Sequence, residues 1–205
     1  MINAVCTLLI LSTAWARPEP KDYRSVLNTD LGRTVSMLNS AGKYREAIQI
    51  GGRIQRSVDR FPRVSYEIGY AHHRLGELAA AVRNYDAALQ RDPELTTALY
   101  DRGEIHLQEG RLDAAKADFL LVAEQTPTHW AGHFRLAHLA GLGGDADGFK
   151  QHLMNAIEHG FDLETVQPDP DWVSFTRNPK IRPVLRKVIV LYGNDVLLQW
   201  LGNQP

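Results

Sequence analysis

Gly42, Gly76, Gly110 and Gly144 stand 34 residues apart along the chain. Ala47, Ala81 and Ala115 recur at the same spacing, as do Gly69 and Gly103, Tyr85 and Phe119, Pro93 and Pro127, and His72 and His106. A fixed period of this length marks a repeat architecture. Each unit of such an array is one supersecondary element that cannot bury its apolar face alone, and stacking completes the core.

Within each unit the pattern is helical. Small and apolar residues recur at three- and four-residue steps in Ser65–Leu75, Ala79–Leu89, Leu99–Gln108 and Ala114–Val122. Each unit therefore reads as helix, tight turn, helix. The turns are Arg74-Leu75-Gly76-Glu77 and Gln108-Glu109-Gly110-Arg111, where glycine can follow a helix end without a Cβ clash. Pro93 and Pro127 stop the second helices because proline cannot donate the next backbone bond.

With its columns of small residues, this helix–turn–helix unit resembles the tetratricopeptide repeat. The unit at 62–95 has Ile68-Gly69, Ala81 four residues ahead of Tyr85, then Ala88 and Pro93; the unit at 96–129 has Gly103, Ala115, Phe119 and Pro127. Ser65 and Leu99 replace the family's common tryptophan, and His72 and His106 its tyrosine. The flanking units at 28–61 and 130–163 keep the phase but lose columns: Gly51 stands where an aromatic is expected and Phe149 where alanine belongs. The resemblance implies an all-α, right-handed solenoid of four repeats over 28–163. It also implies that Gly69 and Ala81 let the two helices of a hairpin nest, so that Gly69→Leu splits the stack between units by overpacking.

From Gly160 onward the phase breaks. Gly160-Phe161-Asp162, Asp169-Pro170-Asp171-Trp172 and Asn178-Pro179 resemble the segment closing many bacterial arrays of this family, which implies a helical cap over 164–205. Asn178 is placed to cap a helix at Pro179 whose apolar face is Ile181, Val184, Leu185, Val188, Ile189 and Tyr192. Asn194-Asp195 then start a last helix. Leu197, Leu198, Trp200 and Leu201 on that helix read either as packing of the lid or as a docking surface.

The N-terminal stretch Ile2–Trp15 carries no charge, and Ala14-Trp15-Ala16 offers small residues where a signal peptidase acts. Residues 1–16 are expected to form a signal peptide and 17–27 a linker, making the chain exported, to the periplasm or beyond. A hydrophobic N-terminal helix or a start codon placed too far downstream is the alternative. The apolar stretch would span ~21 Å as a helix, too short for a ~30 Å hydrocarbon core, so no integral membrane protein is expected. Cys6 is the only cysteine, and its loss with the signal would leave neither disulfides nor a cysteine nucleophile. With 23 basic against 24 acidic residues the formal charge is −1, which gives no general attraction to nucleic acid.

In the family, the first helix of each hairpin lines a concave groove. By that analogy the candidate peptide-binding residues are Arg63, Tyr66, Tyr70, His73 and Arg74, then Tyr100, Glu104, Leu107 and Gln108, then Phe134 and His138. Tyr66, Tyr100 and Phe134 share one column at the repeat period. Aromatic rings beside arginines suit a protein or peptide partner. The same rings could instead pack the groove floor, a choice that Tyr66→Ala with Tyr100→Ala tests by binding against folding. The carboxylate clamp of some family members is missing, since Gly32, Ser36 and Ala131 occupy its positions. Neither HExxH, G-x-S-x-G, P-loop nor GxGxxG occurs, so no catalysis, metal or cofactor is expected. Among the histidines, His129, His133 and His138 were the nearest to a ligand set, and His72 and His106 are expected to donate to backbone carbonyls between helices. The function implied is a non-catalytic adaptor or scaffold. The alternative is a homo-oligomer formed through the convex face or the C-terminal helices.

Overall fold

The computed structural model describes residues 23–57, 61–166 and 170–204, and the periodic glycines punctuate it. Four helical hairpins follow one another: α1 (Tyr23–Ser40) with α2 (Tyr44–Ser57), α3 (Pro62–Arg74) with α4 (Leu78–Leu89), α5 (Thr96–Gln108) with α6 (Leu112–Gln125), and α7 (Trp130–Gly143) with α8 (Ala146–Glu158). At each hairpin turn the glycine is left-handed; Gly76, with φ of 76°, is typical. There the Gly76 amide bonds His73 O at 2.9 Å and the Glu77 amide bonds His72 O at 2.9 Å, which satisfies the carbonyls that the helix end leaves open.

Two expectations are corrected here. The linker at 17–27 ends earlier than its composition suggests, because α1 is already helical at Tyr23. Between Lys21 and Leu31 there is neither proline nor glycine to interrupt it. Residues 1–22, and with them the expected signal peptide, lie outside the described residues. Overpacking at Gly69 also falls elsewhere. A Cβ there would lie 2.7 Å from the Tyr85 ring and 3.2 Å from Ala81 O, both in its own hairpin. The glycine column lets the two helices of one unit nest, and contact between units is made elsewhere.

The flanking hairpins keep this nesting by exchanging sizes. The glycine–aromatic pairs Gly69–Tyr85 and Gly103–Phe119 become Val35–Gly51 in the first hairpin and Ala137–Leu153 in the fourth. Val35 and Leu153 are fully buried, and a Cβ on Gly51 would meet Ile68 Cγ1 at 2.6 Å. A large residue on one helix is thus offset by a small one on its neighbour.

Successive hairpins are joined by packing and by ions. Gly132 brings α7 onto the α6 backbone, where a Cβ would be 2.7 Å from Ala123 N. Arg102 on α5 reaches back to Asp86 Oδ1 (2.6 Å) on α4 and across to Asp118 Oδ1 (2.6 Å) on α6. Asp118 is almost fully buried, so this guanidinium matches a charge that could not otherwise be desolvated.

Beyond α8 the chain makes a 3-10 turn (Leu163–Val166) and then α9 (Pro170–Phe175), α10 (Ile181–Tyr192) and α11 (Asp195–Gly202). Asn178 Oδ1 accepts from the Lys180 and Ile181 amides at 2.9 and 3.3 Å, and Asn194 Oδ1 caps α11 through the Leu197 amide at 2.9 Å. Trp172, Phe175, Ile181, Leu185, Val188 and Ile189 form one core with Phe149 and Leu153 of the fourth hairpin. Leu197 and Leu201 are buried in that core, and Leu198 and Trp200 pack against it, so these four belong to the lid. No helix among the described residues is long and apolar enough to cross a membrane.

Candidate interaction face

The first helices, α1, α3, α5 and α7, present the column that the repeat period singles out. In the first hairpin Gly32 occupies it, and the Arg63 side chain lies against that glycine, its Cγ 2.1 Å from where a Cβ would be. The Arg63 amide bonds Asn28 Oδ1 at 3.0 Å. Tyr66 and Tyr100 follow at the column position in α3 and α5, and each bridges forward to the next hairpin. Tyr66 Oη donates to Asp101 Oδ2 at 3.0 Å, and Tyr100 Oη accepts from Arg135 Nε at 3.2 Å. Both rings also pack inward, Tyr66 on Tyr85 with centroids 5.8 Å apart and Tyr100 on Phe119 at 5.7 Å. These tyrosines are therefore part of the stack as well as of its face, and truncating both would disturb folding.

The ionic groups between the rings are desolvated and paired. Burial pushes the Asp101 carboxyl up to about 6, against the pull of the Tyr66 hydroxyl that donates to it. Burial, and after it the neighbouring Asp101 charge, pushes the Tyr66 hydroxyl up, so it remains a donor. Arg135 meets Glu104 through Nη2–Oε2 and Nε–Oε1, each 2.5 Å. Burial raises the Glu104 carboxyl although Arg135 pulls it down. Asp101 and Arg135 were missed by the sequence reading, yet both directly follow a column aromatic in their own repeats, at a common register.

The open part of the face lies beside these bridges. Arg74 is exposed, with its guanidinium 5.7 Å from the Tyr44 ring centroid and 5.9 Å from that of half-buried Tyr70. Its Nη1 also donates to Tyr70 Oη at 3.4 Å. His73 sits edge-on to Tyr85, and burial followed by the Arg74 charge lowers its pKa. Leu107 is half-buried and Gln108 exposed on α5.

The column ends differently. Phe134 stacks on Trp172 (5.6 Å, interplanar 6°) and packs on Phe161 at 4.3 Å. His138 is buried against Phe175 and Trp172. Gly141 makes room for this cover, since a Cβ there would lie 2.7 Å from Phe175 Cζ. Phe134 and His138 are thus roofed by α9, while α3 and α5 carry the uncovered portion. Leu142, one turn on, is exposed.

The histidines divide into separate roles. His129 Nδ1 accepts from the Ala131 amide at 3.2 Å and caps α7. His133 stacks on His152 and His159, with His133 Nδ1 and His152 Nδ1 3.1 Å apart. Such an approach needs one donor and one acceptor nitrogen, so at least one of the two rings is neutral. Burial lowers the pKa of both. His72 Nδ1 pairs with Glu77 Oε2 at 2.6 Å, and His106 Nε2 lies 3.8 Å from Asp118 Oδ2; carboxylates, not the expected carbonyls, are their neighbours. Among the described residues no three His, Cys, Asp or Glu side chains are grouped to hold a metal.

A tetratricopeptide-repeat family model matches residues 40–94 and 66–129. Over 79 residues the chain is 37% identical to the tetratricopeptide repeat and J domain-containing co-chaperone DNJ1 of Fusarium oxysporum f. sp. lycopersici; the match covers 38% of this chain and only 15% of that protein. Its fold is similar to MamA from AMB-1, with a TM-score of 0.61 and 18% identity over 85% of this chain and 97% of that one. It is also similar to a tetratricopeptide repeat protein from Parabacteroides merdae, with a TM-score of 0.60 and 18% identity over 88% of this chain and 68% of that one. Hairpin geometry, left-handed turn glycines and matched repeats agree: residues 40–129 carry tetratricopeptide repeats, within a helical-hairpin solenoid.

Proposed function

We propose that this chain is a non-catalytic adaptor that holds an extended or helical segment of another protein against the first helices of its second and third hairpins. The observation that carries this reading is the pre-organised state of that face. Tyr66 and Tyr100 are fixed by bonds to the next hairpin, and beside them Tyr70, Arg74, Leu107 and Gln108 remain accessible. Rigid aromatic contacts lose little side-chain entropy on binding, and an accessible guanidinium can pair with a carboxylate. The similarity to a co-chaperone that carries the same repeat supports a protein as the ligand. The uncharged stretch Ile2–Trp15 and the Ala14-Trp15-Ala16 site support export, so the partner is to be sought in the cell envelope or outside the cell.

Affinity capture of residues 17–205 from an envelope extract, beside a Tyr70→Ala/Arg74→Ala variant, tests this. Arg74 is exposed, and Tyr70 is half-buried outside the core clusters, so the variant keeps its fold, which circular dichroism checks. Partners held by the parent and lost by the folded variant support the groove. Partners held equally by both would sink it.

A further inference from the structure

On the far side of the fourth hairpin the lid leaves a second surface open. α10 packs on α8 through Leu185, Val188 and Ile189, and turns Pro183, Arg186, Lys187, Val190 and Leu191 outward. Val190 is 62% and Leu191 65% exposed, high values for aliphatic side chains lying side by side on a helix. A depression of about 700 Å³ runs along this ridge, lined by Lys150 of α8 and by the outward residues of α10 together with Arg182. A smaller one of about 340 Å³ lies on the other flank, between the ridge and Leu198 and Leu201 of α11.

Every ionisable residue lining the two depressions is a cation. Arg182 is committed to the fold, with Nη1 donating to Thr176 O at 2.9 Å and Nη2 to Gln204 O at 3.2 Å. Lys150, Arg186 and Lys187 border the apolar ridge, with no carboxylate among the lining residues. We infer that this ridge and its flanking depressions dock an acidic amphipathic segment of a partner protein, whose apolar side chains cover Val190 and Leu191 while its carboxylates meet Lys150, Arg186 and Lys187.

Charge and shape select this occupant. A second copy docked across a two-fold axis would bring the same cations face to face. A nucleic acid would press phosphates against the exposed aliphatics, which gain nothing from them. A bilayer surface is flat, whereas the aliphatics here flank concave volumes that accept protruding side chains. Helix-in-groove recognition uses this combination of apolar anchors with a charged rim. Because α10 is borne on α8, a second helix, this surface is separate from the face built by α3 and α5. Its inference does not depend on what binds there.

The probe is a fluorescein-labelled synthetic peptide of repeated Glu-Glu-Leu-Leu units, compared with one of repeated Lys-Lys-Leu-Leu units and with phosphatidylglycerol–phosphatidylcholine vesicles. Fluorescence anisotropy should show saturable binding of the acidic peptide alone. Affinity should fall on the order of tenfold or more in Arg186→Glu/Lys187→Glu, and also in Leu191→Ser. Amide NMR shifts should appear at Lys150 and along Arg186–Leu191 and leave Tyr70–Arg74 unmoved. Lys150→Glu, on a different helix, repeats the test should the double reversal fail to fold. Equal binding of both peptides would overturn the inference. So would shifts confined to α3 and α5, binding of vesicles alone, or a dimer that Leu191→Ser dissolves without any peptide binding.

Discussion

Tyr66 Oη donates to Asp101 Oδ2 at 3.0 Å, and the same two positions one repeat later are joined with reversed polarity, Arg135 Nε donating to Tyr100 Oη at 3.2 Å. A tyrosine hydroxyl serves both because it can donate and accept. One column of rings therefore links the second hairpin to the third through an acid and the third to the fourth through a base. This arrangement gives the first-helix face a fixed geometry and also makes part of it sensitive to pH.

Asp101 provides the first prediction. Its carboxyl is pushed from 3.8 to about 6 by burial, so between these values the folded chain holds a proton that the unfolded chain has released. The stabilising contribution is present below pH 3.8 and is lost as pH rises through 6. Asp101→Asn removes the buried charge while keeping an oxygen for Tyr66. The variant should be more stable than the parent by about 1–2 kcal/mol at pH 7, allowing for partial exposure, with the difference closing by pH 4. Urea denaturation of both chains across that range measures it. A constant difference would show that Asp101 keeps an ordinary pKa.

The His133–His152 pair has the opposite sign. Burial comes first in lowering both, then His159 acts on His133, while His133 and Lys116 act on His152. Asp145 is the carboxylate opposing this shift at His152. The unfolded chain then binds the additional protons, so this contribution is present above pH 6.5 and is lost as pH falls below it. His152→Gln should flatten the parent's loss of stability between pH 6.5 and 5, measured as thermal midpoints. An unchanged slope would assign the acid sensitivity to other groups.

The turn glycines, the proline stops and the Asn194 cap were legible because each acts through its own backbone neighbours. Asn178 instead binds the Lys180 and Ile181 amides in a turn, and α10 starts at Ile181, not at Pro179. Column membership of Tyr66 and Tyr100 was legible because a period is a property of the sequence. Their partners were not, since Asp101 and Arg135 are reached across a gap between helices, 35 residues on, in a register that only the packed stack creates. Gly51 and Phe149 looked like decay of the repeat. Gly51 instead admits Ile68, and Phe149 is the ring on which Trp172 and Phe175 pack at 5.6 and 5.8 Å. The cover that α9 places over Phe134 and His138 was illegible for a related reason. A helix of six residues, out of phase with the repeat, gives no periodic clue to which face it will lie on.

Size exchange between helices supplies a third prediction. Gly69→Val places methyls against Tyr85 where even a Cβ comes within 2.7 Å, and should cost about 2–3 kcal/mol. Tyr85→Leu should cost a similar amount alone, by leaving space above the glycine. Together they should be less destabilising than their sum by about 1 kcal/mol, because the smaller partner accommodates the added methyls. The first hairpin already shows the reciprocal arrangement in Val35 and Gly51. Strict additivity in a double-mutant cycle would mean that the two side chains relax independently.

Trp172 gives the last prediction. It is fully buried, 5.6 Å from Phe134, 5.6 Å from Phe149 and 5.5 Å from Phe175, and it belongs to a helix too short to hold itself in place. Trp172→Ala should cost about 3–5 kcal/mol of local stability and release α9 from α7, exposing Phe134 and His138. Coupling in a solenoid passes mainly between adjacent units, so the damage should be graded along the chain. Hydrogen exchange should quicken most at 170–192 and in α7, less in α5 and α6, and least in α3 and α4. A uniform acceleration would mean that the lid and all four hairpins unfold as one cooperative unit, with α9 holding the whole stack closed.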